Sequence, residues 1–166
     1  MFKKKKEMTG ILYSPLCGRI IPQNEVSDPV FSEEMLGKGF AVIPKEKMQT
    51  LRMPASGRIV SVSDTCHAVN ILTDDGLELL IHVGIDTVEL RGNGFELLCS
   101  VGDKLLCGDS VMNVDFEQIR SCGKETVTPV VITNPEIICQ ISAVVGECNE
   151  NGCEALRYVR KEDLQK

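Results

Sequence analysis

Between Gly10 and Arg160 the apolar residues fall in short runs divided by glycine, proline, asparagine and aspartate, and few of them repeat at helical spacing. Runs of roughly four to eight residues bounded by such turn formers predict β-strands. Two of them open alike. Pro15-Leu16-Cys17-Gly18-Arg19-Ile20 and Pro54-Ala55-Ser56-Gly57-Arg58-Ile59 share the pattern P-x-x-G-R-I, and each is followed by another apolar residue, as a duplicated strand start would be. A smaller echo, Val101-Gly102-Asp103-Lys104-Leu105 and Cys107-Gly108-Asp109-Ser110-Val111, places Gly-Asp turn chemistry between apolar positions. Strands spaced in this way suit an all-β fold, an antiparallel sandwich or flattened barrel. Helix is expected only in short pieces, at Ser32 to Leu36, Phe116 to Ser121 and Pro135 to Ile141. Arg157-Tyr158-Val159-Arg160 reads as a last strand before a charged end. The organisation is then a basic tail over residues 1–9, one domain over 10–160 and a charged tail over 161–166, with no linker.

A length of 166 residues suffices for one core that needs neither disulfides nor a structural metal. The chain carries 18 Lys plus Arg against 24 Asp plus Glu, a formal charge of −6, and has no Trp. That balance excludes a nucleic-acid groove, which wants clustered positive charge and stacking aromatics, and favours basic protein partners. No apolar run approaches the roughly 20 residues of a membrane-spanning helix, and Ile11-Leu12-Tyr13 is too short for the apolar part of a signal peptide. A cytoplasmic monomer is expected. The basic run Lys3 to Lys6 lacks an apolar face, so it reads as a solvated tail with at most weak attraction to anionic lipid. The eight cysteines (Cys17, Cys66, Cys99, Cys107, Cys122, Cys139, Cys148, Cys153) include no C-x-x-C pair, which removes zinc-finger and thioredoxin readings. Buried reduced thiols acting as small hydrophobes are expected, and a disulfide scaffold is not.

The chain has two histidines, and they flank one hairpin candidate. His67-Ala68-Val69-Asn70-Ile71-Leu72 precedes the turn former Thr73-Asp74-Asp75-Gly76, and Leu77-Glu78-Leu79-Leu80-Ile81-His82 follows it. A two-residue loop at Asp74-Asp75 sets the imidazoles directly opposite one another, with Cβ atoms about 5 Å apart. A loop at Asp75-Gly76 makes them diagonal neighbours on the same face, and a three-residue loop separates them. These are the side chains whose ordinary pKa lies near neutrality. On an extended strand Thr65 shares the face of His67 and reaches its ring, while Cys66 points the other way. Gly84 leaves room for the backbone to turn beside His82.

Three kinds of chemistry are open to such a pair. A zinc site needs a third ligand such as Asp64, Glu78 or Asp86. An acid/base pair needs a nucleophile, and no Ser sits in a nucleophile-elbow context. A phosphoryl relay, in which one neutral ring attacks phosphorus while the other hydrogen-bonds the phosphoryl oxygens, asks for the least additional machinery.

The run Gly76-Leu77-Glu78-Leu79-Leu80-Ile81-His82-Val83-Gly84-Ile85-Asp86-Thr87-Val88-Glu89-Leu90 closely resembles the active-site motif of the glucose-type enzyme IIA family of the bacterial phosphoenolpyruvate:sugar phosphotransferase system. Further matches follow in order from about Ile11 to Val159. They include Ser14-Pro15-Leu16-Cys17-Gly18, Asp28-Pro29-Val30-Phe31, Gly39-Phe40-Ala41-Val42, Thr65-Cys66-His67-Ala68, Gly92-Asn93-Gly94-Phe95 and Thr128-Pro129-Val130-Val131-Ile132-Thr133-Asn134.

The resemblance implies a barrel-sandwich hybrid fold and a set of roles. His82 resembles the residue phosphorylated on Nε2 by the phosphocarrier protein HPr, and His67 the partner that bonds the phosphoryl group. Thr65 is similar to the hydroxyl that orients His67, and Gly84 to the residue whose carbonyl holds Nδ1–H of His82. Asp28 and Asp86 match acidic positions that meet basic partners. Phe31, Met35, Leu36, Val69 and Leu80 are the candidates for an apolar docking rim, with ordinary core as their other reading. Leu80 and Val83 stand where relatives often carry Phe. The implied function is a phosphotransferase component that takes a phosphoryl group from phospho-HPr and passes it to a cysteine of a sugar-specific enzyme IIB or IIBC. A regulatory module that binds transporters or metabolic enzymes according to its phosphorylation state is an alternative, as is a zinc site at His67 and His82. No cofactor is required by the relay.

Overall fold

The computed structural model describes residues 8–150 and 152–161. Fourteen strands are formed among them: β1 (Met8–Tyr13), β2 (Gly18–Pro22), β3 (Lys38–Pro44), β4 (Met48–Arg52), β5 (Gly57–Val62), β6 (Ala68–Thr73), β7 (Glu78–His82), β8 (Phe95–Leu97), β9 (Lys104–Leu105), β10 (Ser110–Asp115), β11 (Thr128–Ile132), β12 (Ile138–Ala143), β13 (Gly146–Cys148) and β14 (Glu154–Arg160). They pair into an eight-stranded sheet in the order β13-β2-β3-β11-β7-β6-β5-β9 and two three-stranded sheets, β1-β14-β12 and β4-β10-β8. Every pairing is antiparallel. The all-β expectation therefore stands, and within these pairings no sheet closes into a barrel.

The duplicated P-x-x-G-R-I segments do open strands, β2 and β5. The reason for their glycines is packing: a Cβ at Gly18 would lie 2.0 Å from the Ile43 carbonyl oxygen, and one at Gly57 would lie 2.3 Å from that of Leu72. In the Gly-Asp echo, Asp103 accepts from the Ser100 amide at 2.9 Å and Asp109 from the Leu106 amide at 2.7 Å, so each aspartate closes a turn with its own side chain.

Among the described residues α-helix is confined to two short pieces, α1 (Pro29–Ser32) and α2 (Phe116–Ser121). α2 lies where the spacing placed it, with Asp115 accepting from the Gln118 amide at 3.0 Å as its cap. α1 is earlier than the expected Ser32 to Leu36. Asp28 caps it through the Val30 amide at 2.9 Å and Pro29 supplies its first residue, so the start is set by Asp-Pro, and Glu34 at φ 58° ends it. The expected helix Pro135 to Ile141 is corrected as well: one 3-10 turn at Pro135–Ile137 leads directly into β12, because pairing with β14 gives that backbone a ladder which an isolated turn lacks.

The central strands are covered on both faces. Phe40 and Val42 of β3, Leu79 and Ile81 of β7, and Val130 and Ile132 of β11 enter the principal core. Ala41 and Val131 face the other way, into a second cluster with Ile21, Val26, Phe31, Ile85 and Val127. That second layer underlies the functional site. Phe40 is completely buried, and Phe40→Ala is expected to cost about 3–5 kcal/mol. Urea unfolding of the variant measures this, and a loss under about 1 kcal/mol would mean that the core collapses around the gap.

The ends of the domain also differ from the expected division. Met8 and Thr9 belong to β1, where Met8 pairs with Arg160, so the folded part begins before residue 10. The Lys3 to Lys6 run and residues 162–166 lie outside the described residues. The Tyr158 hydroxyl donates to Asp75 and ties β14 to the turn between β6 and β7.

The cysteines depart from the burial expectation. Cys107, Cys122 and Cys139 are exposed, Cys17, Cys66 and Cys99 are half-buried, and Cys148, which is buried, forms a disulfide with Cys153. Cys17, Cys107 and Cys122 stand in turns and Cys139 on the edge strand β12, outside the principal core, whereas Cys66, Cys99 and Cys153 pack against its margin. Among the described residues no helix is long and apolar enough to cross a membrane.

Candidate functional site

The two histidines meet at the open end of the β6–β7 hairpin, by a route that strand alternation does not give. The hairpin loop is Asp74 to Gly76, closed by the Thr73 amide on the Leu77 carbonyl at 2.9 Å, and the register pairs Ala68 with His82. This is the three-residue loop expected to separate the rings. They nevertheless lie with centroids 5.0 Å apart and planes at 74°. His67 is not part of the strand: it is the last residue of the Ser63 to His67 loop between β5 and β6, where Cys66 adopts φ 62°. A left-handed residue breaks the alternation, so the side chain that follows is re-aimed. The Val83 amide donates to the His67 carbonyl at 2.7 Å and fixes the pivot of that ring.

His82 ends β7. Its Nδ1 lies 2.6 Å from the Gly84 carbonyl oxygen. A carbonyl only accepts, so Nδ1 carries the proton and Nε2 is left with its lone pair. The bond depends on the chain doubling back at once. Gly84 has φ 73°, and a Cβ there would fall 2.5 Å from Thr87 Cγ2 and 2.8 Å from the Glu125 carbonyl oxygen. Thr87 holds the same turn by donating to the Val83 carbonyl at 2.6 Å, and Ile85 donates to the Glu125 carbonyl at 3.0 Å. Asp86, exposed at φ 57°, begins the next short 3-10 turn. The Phe31 ring packs on His82 with centroids 5.2 Å apart.

His67 is only 9% exposed. Its Nδ1 is 2.6 Å from the Thr65 hydroxyl and 3.2 Å from that of Ser63. The expected contact of Thr65 with His67 is present, although a turn brings it about and not an extended strand. Ser63 escaped the sequence reading. The polar alternation Ser61, Ser63, Thr65 was its available signal.

Burial holds His82 below the ordinary histidine value, and this is opposed by the bond to Gly84 and by the charges of Asp28 and Asp86. His67 is held down by burial and then by the charge of His82. Both rings thus favour neutrality in the folded chain, while in the unfolded chain they titrate near 6.5. As the pH falls through about 6.5 the unfolded chain takes up more protons than the folded one, so these two groups cost stability on the acid side and the loss ends below their folded-state values. Melting temperatures measured from about pH 7.5 down to about pH 5 should fall less steeply in the double variant His67→Ala/His82→Ala than in the parent. Parallel profiles would show that the two rings contribute nothing to the slope.

The remaining candidates divide. Asp28 caps α1 close enough to act on His82, and Phe31 touches that ring, though it is only 3% exposed. Met35 and Leu36, just after α1, are 67% and 43% exposed. Leu80 is half-buried against the second apolar cluster. Val69 is corrected: it is fully buried in the principal core because it shares the inward face of β6 with Ile71, so it offers no docking surface. Among the described residues no three His, Cys, Asp or Glu are grouped to hold a metal, so Asp64, Glu78 and Asp86 do not complete a zinc site on the two rings. A metal there would take its further ligands from another molecule.

Comparison with known proteins bears on this geometry. The model of the family described as phosphoenolpyruvate-dependent sugar phosphotransferase system, EIIA 1, matches residues 10–138. Glucose-specific EIIA components of the phosphotransferase system from Staphylococcus aureus strains COL and MRSA252 are each 38% identical over 144 residues, spanning 86% of this chain and 86% of their own. The glucose permease IIA from Mycoplasma capricolum superposes with a TM-score of 0.82 at 34% identity, covering 95% of this chain and 99% of that one. The fold and the length of these matches agree, and the chain belongs to the EIIA 1 family of the phosphoenolpyruvate-dependent sugar phosphotransferase system, as a phosphoryl-carrying component.

Proposed function

We propose that His82 is the phosphoryl acceptor of this chain, receiving its group from phospho-HPr and surrendering it to a cysteine of a sugar-specific enzyme IIB. The observation that carries the reading is the bond from His82 Nδ1 to the Gly84 carbonyl, which leaves the Nε2 lone pair in place without any base to generate it. In the forward step that lone pair forms the N–P bond while the N–P bond of the donor histidine breaks, and the donor ring keeps the electron pair. The ring of phosphorylated His82 keeps its proton on Nδ1 and gains positive character, which the Gly84 carbonyl, Asp28 and Asp86 stabilise. Their charge does not generate the nucleophile, and positioning carries most of the acceleration. His67 donates from Nε2 to a phosphoryl oxygen and stabilises the charge spread over the transferring group.

Docking rests on the surroundings of the ring. Met35 and Leu36 supply exposed apolar surface beside α1, and Asp28 and Asp86 supply negative charge for a basic partner, in keeping with the net charge of −6. The relatives named glucose-specific suggest glucose as the sugar at the end of the relay. The test is phosphorylation from phosphoenolpyruvate through enzyme I and HPr, followed by phosphorus–nitrogen NMR of the product. An acid-labile phosphate on Nε2 of His82 is expected. A folded protein that takes no label, or takes it on Nδ1, overturns the reading.

A further inference from the structure

Two hydroxyls converge on one nitrogen of His67, and they are not equivalent. Thr65 sits at the tip of the loop, and among the described residues its hydroxyl bonds Nδ1 of His67 and nothing else. Such a hydroxyl donates to a bare nitrogen or accepts from a protonated one equally well, and so leaves the tautomer open. Ser63 is held differently. It stands at the base of the loop, where its amide donates to the Ala68 carbonyl at 2.9 Å and its carbonyl accepts from the Cys66 amide at 2.8 Å. Its Oγ already accepts a proton from the Ala68 amide at 3.1 Å. If His67 Nδ1 also carried a proton, Oγ would accept twice and its own proton would have no acceptor among the described residues. With a bare Nδ1, 3.2 Å away, that proton has an acceptor, whose single lone pair it shares with the Thr65 hydroxyl at 2.6 Å.

We propose that Ser63 is a positioning residue: with its oxygen engaged by the Ala68 amide, its hydroxyl donates to His67 Nδ1 and so fixes His67 as the Nε2–H tautomer. Nε2–H is the donor that the second histidine needs in order to bond a transferring phosphoryl group, so the kinetic consequence rests on the function proposed above. The tautomer itself does not. Thr65 then keeps the ring in place, and Ser63 decides which nitrogen bears the proton. The division gives the two hydroxyls different expected phenotypes despite their shared contact.

The experiment is nitrogen-15 NMR of the histidine rings at about pH 8, where both rings are neutral; with two histidines in the chain the assignment needs only a His82→Ala reference. Wild type is expected to show a bare Nδ1 and a protonated Nε2 on His67. Ser63→Ala should move the His67 Nδ1 resonance toward the protonated value, Ser63→Thr should restore the wild-type pattern, and Thr65→Val should leave it in place. Transfer from phospho-HPr should fall about 2- to 10-fold in Ser63→Ala, the worth of one neutral hydrogen bond, and recover in Ser63→Thr. If Ser63→Ala does not fold, Ser63→Cys, which keeps the shape with a weaker donor, should show the same change to a smaller degree. His67 resonances that do not respond to Ser63, or that respond equally to Thr65→Val, overturn the proposal. A wild-type protein with the expected tautomer that accepts no phosphate overturns the phosphoryl role and leaves the tautomer assignment standing.

Discussion

His82→Ala should carry no label after incubation with phosphoenolpyruvate, enzyme I and HPr under conditions that label the parent fully. The expectation is a loss to background, because nothing nearby replaces the acceptor. The other imidazole is only 9% exposed, and its Nδ1 is occupied by the hydroxyls of Thr65 and Ser63. Alanine removes the Nε2 lone pair together with the ring that Phe31 packs against. Part of the His82 side chain is open to solvent, so the protein should still fold, and circular dichroism with a melting curve separates loss of chemistry from loss of structure. Acid-labile label retained at the parent's stoichiometry would place the acceptor elsewhere.

His67→Ala should behave otherwise. The acceptor and its Gly84 bond remain, so label should reach the same final amount but arrive more slowly, by about 10² to 10³-fold, the usual cost of removing one donor aimed at developing charge. The retardation should appear in both directions, since His67 acts on the group in flight and on neither ground state alone. Binding of HPr should be nearly unchanged because His67 is buried beneath the surface that a partner would meet. Rapid-quench measurement of forward and reverse transfer provides the check. Unchanged rates would remove His67 from the reaction, and a proportional loss of HPr affinity would assign it to docking.

Much of this site could be read along the chain because its parts are local. Thr65 and His67 are two residues apart, as are His82 and Gly84, and a chain segment that short has few ways to place such groups. The turn-forming Thr73-Asp74-Asp75-Gly76 announced the hairpin, while the loop length, and with it the register, was decided by Thr73. Its hydroxyl accepts from the Leu77 amide at 2.9 Å and donates to Asp75, closing a three-residue loop. The resulting alternation would have parted the histidines had Cys66 been extended. Ser63 went unnoticed because its importance lies in two simultaneous bonds, to Ala68 and to His67, which spacing alone does not distinguish from a solvated serine. Val69 was misplaced for the opposite reason: strand alternation permits either face, and only the packing of β6 against the principal core selects the inner one.

By itself the sequence determined the strand-rich character of the chain, its turns, the place of α2, the family it resembles and the two imidazoles proposed to carry its chemistry. These follow from the short-range physics of glycine, proline, aspartate and alternating apolar residues, and from motifs that are contiguous. The tertiary structure alone decided the order of strands in three sheets, the meeting of the rings through a left-handed Cys66, the disulfide between Cys148 and Cys153 and the burial of Val69. Each of these depends on which distant surfaces exclude water from one another, a property of the packed chain that no local pattern contains.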